Sequence, residues 1–402
     1  MNDNAFCKDF KSSYPYNMLA NKMPVDRFAP YPGRHNIEQI LEQAETYAFI
    51  FKLTMVNVRL KDPQFPMPPL QHYKCEECHQ PVIDNGRILA AGYVEIYMNE
   101  VDLKLIHEYY TADMHLITDC YYAYKDYLPR WFTDYVFQCF VEKEQLKDGD
   151  PVLYNIAKAR LNSLYGMCVQ KPVKDDIIED YKTGEYEIAG KDPEALYQKY
   201  IENHNSILPY QWGVWVTSYA MVNLFELGKC FEYWLYSDTD SVYGIHPDNE
   251  KIKAYNESCK EKLRANGYGP AIVKGKEKWL GIAEDDGEYI EFITVGAKRY
   301  AKRDIEGNLK ITVAGVPKKG ALCLNDDIRN FKKGFVFPGT KTGKLTHEHI
   351  YVPEIYIDED GNETGDSINL TPCDYLLDQT EYASIEDIMF DEVSIQEYDL
   401  SE

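Results

Sequence analysis

The 402 residues carry 66 Asp and Glu against 43 Lys and Arg, a formal net charge of −23, at an ordinary hydrophobic content of 45%. A chain of this length buries a large core and normally comprises more than one domain, and the absence of any eighteen-residue apolar run excludes a membrane-spanning helix and a membrane partner. Ten scattered cysteines without an apolar signal segment point to a reducing, cytoplasmic setting and away from a disulfide-stapled secreted domain.

In chain order, the apolar Ala5-Phe6-Cys7 leads as an extended segment to Asp9 in Asp9-Phe-Lys-Ser-Ser-Tyr-Pro15, and Pro15 ends or turns that run. A first strand beginning almost at Met1 leaves its sheet a short edge. Further on, Cys75-Glu-Glu-Cys78-His79 has the spacing of a haem attachment or half a zinc site, but neither an export signal nor a second Cys pair accompanies it, so a surface turn is expected.

Strong helix formers at Ala157–Leu161 predict a helix that Gly166 stops. Lys158, Asn162, Tyr165 and Gly166 fall at i, i+4, i+7 and i+8, so one face presents a cation, an amide, a flat ring and a gap. That set suits a triphosphate, a sugar and a base together; taken alone, it is also an ordinary amphipathic helix with Leu161 and Leu164 in the core.

Tyr236-Ser-Asp-Thr-Asp-Ser241 lies between the aromatic runs Phe231–Tyr236 and Ser241–Tyr243 and reads as a β-hairpin tip. Two carboxylates about 4 Å apart repel by about 4 kcal/mol at an effective dielectric near 20, so they share a proton, splay apart or hold a cation. Hard divalent ions such as Mg²⁺ prefer carboxylate and phosphate oxygens, which favours phosphoryl chemistry. A strand that delivered Asp9 to Asp238 and Asp240 would complete a three-carboxylate cluster. A lone Asp-x-Asp is more often an exposed acidic turn; the other two signatures reverse that balance.

In Thr294–Arg303, Lys298 and Tyr300 at i and i+2 share one face of a predicted strand, which alone would be a solvated basic strand end. Gly339-Thr-Lys-Thr-Gly-Lys344 resembles a phosphate loop only superficially, because Leu345 stands where a Ser or Thr would meet Mg²⁺; a basic turn is expected. The charge is unevenly spread: after Lys344 there is no Lys or Arg but seventeen Asp and Glu, leaving 43 basic against 49 acidic residues, or −6, in 1–344. Basic runs lie at Lys298–Arg303, Lys318-Lys319 and Arg329–Lys344, so the field is local. The acidic tail reads as solvated or disordered.

Together the three signatures resemble motifs A, B and C of family B DNA polymerases. Asp9-x-x-Ser12-x-Tyr14-Pro15 resembles motif A, with Ser13 where the family usually has Leu. Lys158-x-x-x-Asn162-Ser163-x-Tyr165-Gly166 resembles motif B, Tyr236-x-Asp238-Thr239-Asp240-Ser241 resembles motif C, and Lys298-Arg299-Tyr300 is similar to the element that holds the primer strand. Within that family the chain is most similar to the protein-primed branch of bacteriophages and linear plasmids. Glu95–Ile106, Tyr122-Ala-Tyr124 and Trp131-Phe132 resemble the insertion that contacts the terminal protein, and 171–208 is similar in place to the second insertion. Ile311–Lys319 and Gly334–Phe337 resemble the entry to a small thumb.

The resemblance implies an α+β right-hand fold: palm in 1–20 and 209–313, first insertion in 21–142, fingers in 143–170, second insertion in 171–208, thumb in 314–353 and an acidic tail in 354–402. It implies Asp9, Asp238 and Asp240 as catalytic ligands of two Mg²⁺ ions, for which Mn²⁺ substitutes. Ser12, Ser13, Tyr14, Lys158, Asn162 and Tyr165 would bind the nucleotide, with the Tyr14 ring against a 2′-hydroxyl. Tyr236, Thr239, Lys298, Arg299, Tyr300, Ser163 and Gly166 would contact primer and template. The implied activity is template-directed addition of deoxynucleotides to a primer 3′-OH, in protein-primed replication in a bacterial cytoplasm. Its partners would be primer-template DNA, deoxynucleoside triphosphates and a terminal protein. Only eight residues precede Asp9, so the upstream exonuclease domain of the family has no room. No proofreading is expected of this chain, and a separate exonuclease chain is an implied partner. The alternative is a fragment or subunit of a split polymerase that binds DNA or terminal protein and needs a partner chain for activity.

Overall fold

The computed structural model describes residues 4–63, 65–170, 176–179, 186–189, 192–202, 208–342, 347–352, 356–357, 363–364 and 367–378. They fall into two compact units, one drawn from 1–169 and 210–288 and the other from 170–209 and 289–379. The segment 209–313, expected as one piece of palm, therefore contributes to both.

In the first unit, β1 (Ala5–Phe10) leads into α1 (Ser13–Ala20). Pro15 does not end a strand here. It sits in the first turn of α1, where a missing N–H costs nothing because that donor has no helical partner. The chain continues through α2 (Ile37–Gln43), β2 (Tyr47–Leu60), β3 (Arg87–Asn99), α3 (Glu100–Tyr109), β4 (Met114–Asp126), α4 (Arg130–Leu146) and α5 (Pro151–Cys168). After 209 come α6 (Tyr210–Gly228), β5 (Phe231–Asp238), β6 (Ser241–Pro247), α7 (Asn249–Ala265) and β7 (Ala283–Gly296), whose second half belongs to the other unit.

Two antiparallel sheets organise this unit. In one, β2 lies between β3 and β4, with short strands at the margins making eight in all. Alternation along β2 turns Phe49, Phe51, Leu53 and Met55 into one apolar core, to which α2 adds Ile37 and Ile40. In the other, the order is β5-β6-β1-β7. The strand nearest Met1 is thus interior, not an edge, because the hairpin and β7 arrive from opposite sides. Against this sheet packs α6, which is apolar all round, as suits a helix buried on most faces. Its Trp215, Val216, Phe225 and Leu227 are all buried. A Cβ on Gly213 would stand 2.1 Å from Val169 Cγ1, so only glycine lets α6 approach the end of α5 so closely.

One buried carboxylate links the first sheet to α6. Glu100, with none of its surface exposed, accepts from Lys125 Nζ and Trp215 Nε1 at 2.9 Å each and from the Phe49 N–H at 2.8 Å. Lys125 Nζ also donates to the Ala44 carbonyl at 2.8 Å.

The second unit, described by itself, continues β7 into an antiparallel meander with β8 (Arg299–Asp304) and β9 (Leu309–Val313). A core of Val295, Ala301, Ile311, Phe331, Phe337 and Leu377 underlies it. Of 171–208, the described residues form a hairpin (Asp176–Glu179 with Tyr186–Ala189) and the helix Pro193–Glu202.

The described part of the acidic tail departs from expectation. Ser367–Pro372 pairs with His347–Val352, Tyr375–Leu376 pairs with Val336–Phe337, and Leu377 is wholly buried. Tyr375 and Leu377 outweigh the surrounding charge because they pack into the core that holds Phe337, while Leu376 is exposed. Residues 379–402 lie outside the described set. Gly339–Thr342 is a short helix and not a turn, while 343–344 are not described. Cys75 and Cys78 are half-buried, flanking the start of an edge strand (Glu77–His79), and no disulfide joins the ten cysteines. Among the described residues no helix is long and apolar enough to cross a membrane.

Breaking the Glu100 hub strands a buried ammonium, an indole N–H and a backbone N–H. Glu100→Ala is expected to cost about 3–5 kcal/mol, read as a lowered urea midpoint.

Candidate active site

The hairpin turn is Thr239-Asp240. Thr239 adopts a left-handed φ of 59°, a strained state for a β-branched residue, and its hydroxyl donates to Asp238 Oδ1 at 3.2 Å. Across the sheet, Asp238 pairs with Ser241 and Ser241 pairs with Asp9. Directly opposed residues share a face, so Asp9 and Asp238 flank the small Ser241 side chain, two strand spacings or about 9.5 Å apart. The Phe10 N–H donates to the Asp240 carbonyl at 2.8 Å, which brings the turn against β1. Tyr236 lies one step back on β5, its ring 6.1 Å from that of Tyr243.

Asp9 is electrostatically crowded. Burial first, then the carboxylates of Asp240, Asp286 and Glu284, push its pKa up to about 7, while Lys158 of α5 pulls it down. The nearby lysines of β1 and its end are committed to other acids. Lys8 pairs with Asp285, and Lys11 Nζ lies 3.2 Å from Glu284 and 3.0 Å from Glu144.

The turn into α1 is held from α4. Ser12 has φ 55° and ψ 60° and makes no side-chain cap; its hydroxyl instead accepts from Lys143 Nζ at 3.0 Å. Lys143 also lies 3.0 Å from Glu144, which is almost fully buried. Burial opposes ionisation of Glu144 most strongly, but Lys143 and Lys11 together outweigh it and hold its carboxyl below the ordinary value. Burial lowers Lys143, only partly offset by Glu144. Ser13 is buried at the start of α1, and its carbonyl accepts from Asn17. The Tyr14 ring stands 4.5 Å from Tyr165 of α5 at 42°. Burial, followed by Tyr14, raises the Tyr165 phenol to about 12.

On α5 the buried stripe is Ala157, Leu161, Leu164 and Cys168, which leaves Lys158, Asn162, Ser163 and Gly166 exposed and Tyr165 half-buried. Ser163 donates to the Arg160 carbonyl at 2.8 Å. Gly166 does not stop the helix, which runs on to Cys168. The residue keeps ordinary helical backbone, and a Cβ there would meet nothing within 4 Å.

In the second unit, Lys298 does not share a strand face with Tyr300. It occupies the two-residue turn between β7 and β8 with φ 53°, so strand alternation does not reach it. Arg299 Nη1 donates to the Asp378 carbonyl at 2.8 Å, and Tyr300 is buried with its ring 5.8 Å from Phe292. Arg303, in the same basic run, is bound by Glu291 and Asp326 at 2.6 Å each.

The donors at the β1 and hairpin end suit a hard divalent ion, being carboxylate oxygens whose crowding makes Asp9 retain a proton that a cation would replace. Among the described residues, however, no three His, Cys, Asp or Glu side chains group closely enough to hold one ion. The three aspartates are neighbours at one sheet end and not a closed cage. Sequence reading missed Lys11, Lys143, Glu144, Glu284 and Asp286; Glu142-Lys-Glu144 reads as a solvated helix face, and no signal in the sequence marked it otherwise.

A family model described as DNA polymerase type B, organellar and viral, matches residues 1–213, more than half of the chain. The chain belongs to that family. The DNA polymerases of Bacillus phage Nf and Bacillus phage M2 are each 23% identical to this family B chain over 250 residues, and that of Bacillus phage B103 is 21% identical over 242. Each match covers 58% of the chain and 37% of the relative, so the chain spans little more than a third of these relatives' length. Among solved structures, Phi29 DNA polymerase with primer-template DNA matches with a TM-score of 0.60 at 18% identity, over 93% of this chain and 58% of that one. Its ternary complex with incoming nucleotide substrates matches with a TM-score of 0.58 at 16% identity and the same coverage. The family B chain therefore has the right-hand polymerase fold, within the α+β class.

The pH dependence of stability follows from Asp9. Its folded pKa near 7 lies above the ordinary 3.8, so the unfolded chain loses this proton first. The resulting penalty is absent below about pH 4, grows up to pH 7 and is constant above it. In EDTA, Asp9→Asn is expected to raise the melting temperature at pH 8 by several degrees and to leave it unchanged at pH 4, as followed by calorimetry.

Proposed function

We propose that this chain catalyses template-directed DNA synthesis, adding deoxynucleotides to a primer 3′-hydroxyl by two-metal phosphoryl transfer. The observation that carries this reading is the convergence of Asp9 and Asp240, more than two hundred residues apart in sequence, with Lys158 of α5 within their field. The fold, and relatives whose complexes contain primer-template DNA and incoming nucleotides, support it.

Asp9, Asp238 and Asp240 would hold two Mg²⁺ ions, with Mn²⁺ as a substitute. Bound there, the ions would activate the 3′-hydroxyl and neutralise charge on the α-phosphate. Lys158 draws the triphosphate toward Asp9, and Asn162 and Tyr165 shape the nascent base pair. Ser12 and Ser13 line the nucleotide's phosphate side, with Ser12 oriented by Lys143. Tyr14, braced on Tyr165, presents a ring edge to the sugar and disfavours a 2′-hydroxyl. Tyr236, Thr239, Ser163, Gly166, Lys298, Arg299 and Tyr300 are assigned to primer and template. We further assign the sheet around β2–β4 to a terminal protein that primes replication of phage or plasmid DNA, in a bacterial cytoplasm whose reducing state suits ten cysteines without a disulfide.

Primer extension on a primed template with Mg²⁺ tests the core of this reading. Asp240→Asn is expected to lose several kcal/mol of transition-state stabilisation, on the order of a thousandfold in rate, with primer-template affinity retained. Template binding with no extension by the unaltered chain would refute self-sufficient catalysis and favour a subunit that needs a partner. In the same assay, Tyr14→Ala is expected to raise ribonucleotide incorporation by about ten- to a hundredfold relative to deoxynucleotide.

A further inference from the structure

A cavity of about 610 Å³, its open mouth included, lies in the first unit between Pro69–Lys74, α3 and α6. Leu70, Met98, Ile106 and Met221 give it apolar walls. The loop wall is held in place: Arg87 donates to the Pro68 carbonyl at 2.7 Å, the Ile88 N–H to the Leu70 carbonyl at 2.9 Å and the His72 N–H to the Gly86 carbonyl at 3.0 Å.

Set back from the exposed Lys74 at the rim, the polar side chains lining this space include two acceptors, the Asp102 carboxylate and Gln71 Oε1. Thr217 donates its hydroxyl proton to the Val214 carbonyl at 2.8 Å. Ser218, which accepts from Asn99 at 2.8 Å, has one proton to share between the Val214 carbonyl at 3.2 Å and the Asp102 carboxylate. Gln71 Oε1 is buried without a hydrogen-bond partner. Burial pushes the Asp102 carboxyl up, and the exposed Lys74 at the rim opposes it. A buried acceptor without a donor is unfavourable, and a ligand rich in N–H groups would supply one.

We propose that this cavity binds an alkylammonium or alkylguanidinium group, its apolar stem along Leu70, Met98, Ile106 and Met221 and its charged head on Asp102 and Gln71. The head carries several N–H donors and no acceptor, which complements the lining, and stems of this kind pack on apolar surface while the charge stays solvated or paired. A free small amine and an arginine side chain of a protein share this chemistry.

The probes are agmatine and the blocked tripeptide acetyl-Gly-Arg-Gly-amide, with n-butanol as the uncharged control, followed by saturation-transfer NMR on the 402-residue chain. Agmatine is expected to bind with a Kd of roughly millimolar order, and butanol at least about tenfold more weakly. Asp102→Asn should weaken agmatine about fivefold or more. Lys74→Ala, at an exposed rim residue, should tighten it by about two- to fivefold by removing a like charge. Tighter binding of the peptide than of agmatine would identify a protein side chain as the occupant, and the reverse a free amine. Failure of both cations to bind, equal binding of butanol, or cation affinity unmoved by both substitutions would overturn the proposal.

Discussion

The central constraint in this molecule is the burial of Asp9 beside other carboxylates. Other buried carboxylates are treated differently. Glu100 receives a lysine, an indole and a backbone N–H, and Glu144 sits between two lysines. At the end of β1, in contrast, a partly buried carboxyl has Asp240, Asp286 and Glu284 acting against its ionisation and Lys158 in its favour. Burial and these like charges together disfavour the ionised Asp9, a penalty that a cationic ligand would relieve. Such a penalty is found where chemistry needs it.

The surroundings of Asp9 explain how this crowding is tolerated. Lys8 and Lys11 are held by acids at the start of β7 and by Glu144, so β1 is clamped on the sheet side and from α4. The same Glu144–Lys143 pair fixes Ser12 in its left-handed turn. That turn sets the direction of α1 and lays Tyr14 against Tyr165. A buried ion cluster with no place in the chemistry thereby positions two residues to which a role in nucleotide selection is assigned. The Glu100 hub acts in parallel, joining the sheet of β2–β4 to α6 so that both share one compact unit.

Much of the site was legible because it is local. The aromatic runs on either side of Asp238-Thr-Asp240 predicted a hairpin, and one formed; Leu161 and Leu164 read as the core side of an amphipathic helix, and both are buried on α5 while Lys158 and Asn162 are exposed. Local signals misled where two structures compete for one residue. Glycine permits a helix stop but does not compel one, and Gly166 has the packing of α5 on both sides of it. Proline ends a strand or begins a helix, and at Pro15 the preceding Ser12 had already turned the chain. Lys298 and Tyr300 are two apart, but a two-residue turn falls between β7 and the start of β8 and breaks the alternation. In the tail, Tyr375 and Leu377 outweigh the charge around them once Phe337 is available to cover.

The sequence by itself determined the chemical inventory: carboxylates, a lysine-bearing helix face and two tyrosines, in the order and spacing of the type B polymerase family. It also determined the secondary structure that carries them, because periodicity and capping act over a few residues. Only the tertiary structure decided that β1 is an interior strand, that Ser241 separates Asp9 from Asp238, and that Glu144 rather than solvent holds Lys11 and Lys143. Those outcomes depend on burial and on Coulomb interactions between segments more than a hundred residues apart. Such interactions have no local signature, since the same glutamate in Glu142-Lys-Glu144 is solvated on an isolated helix and becomes an ion-pair hub only when the turn after β1 is folded onto it.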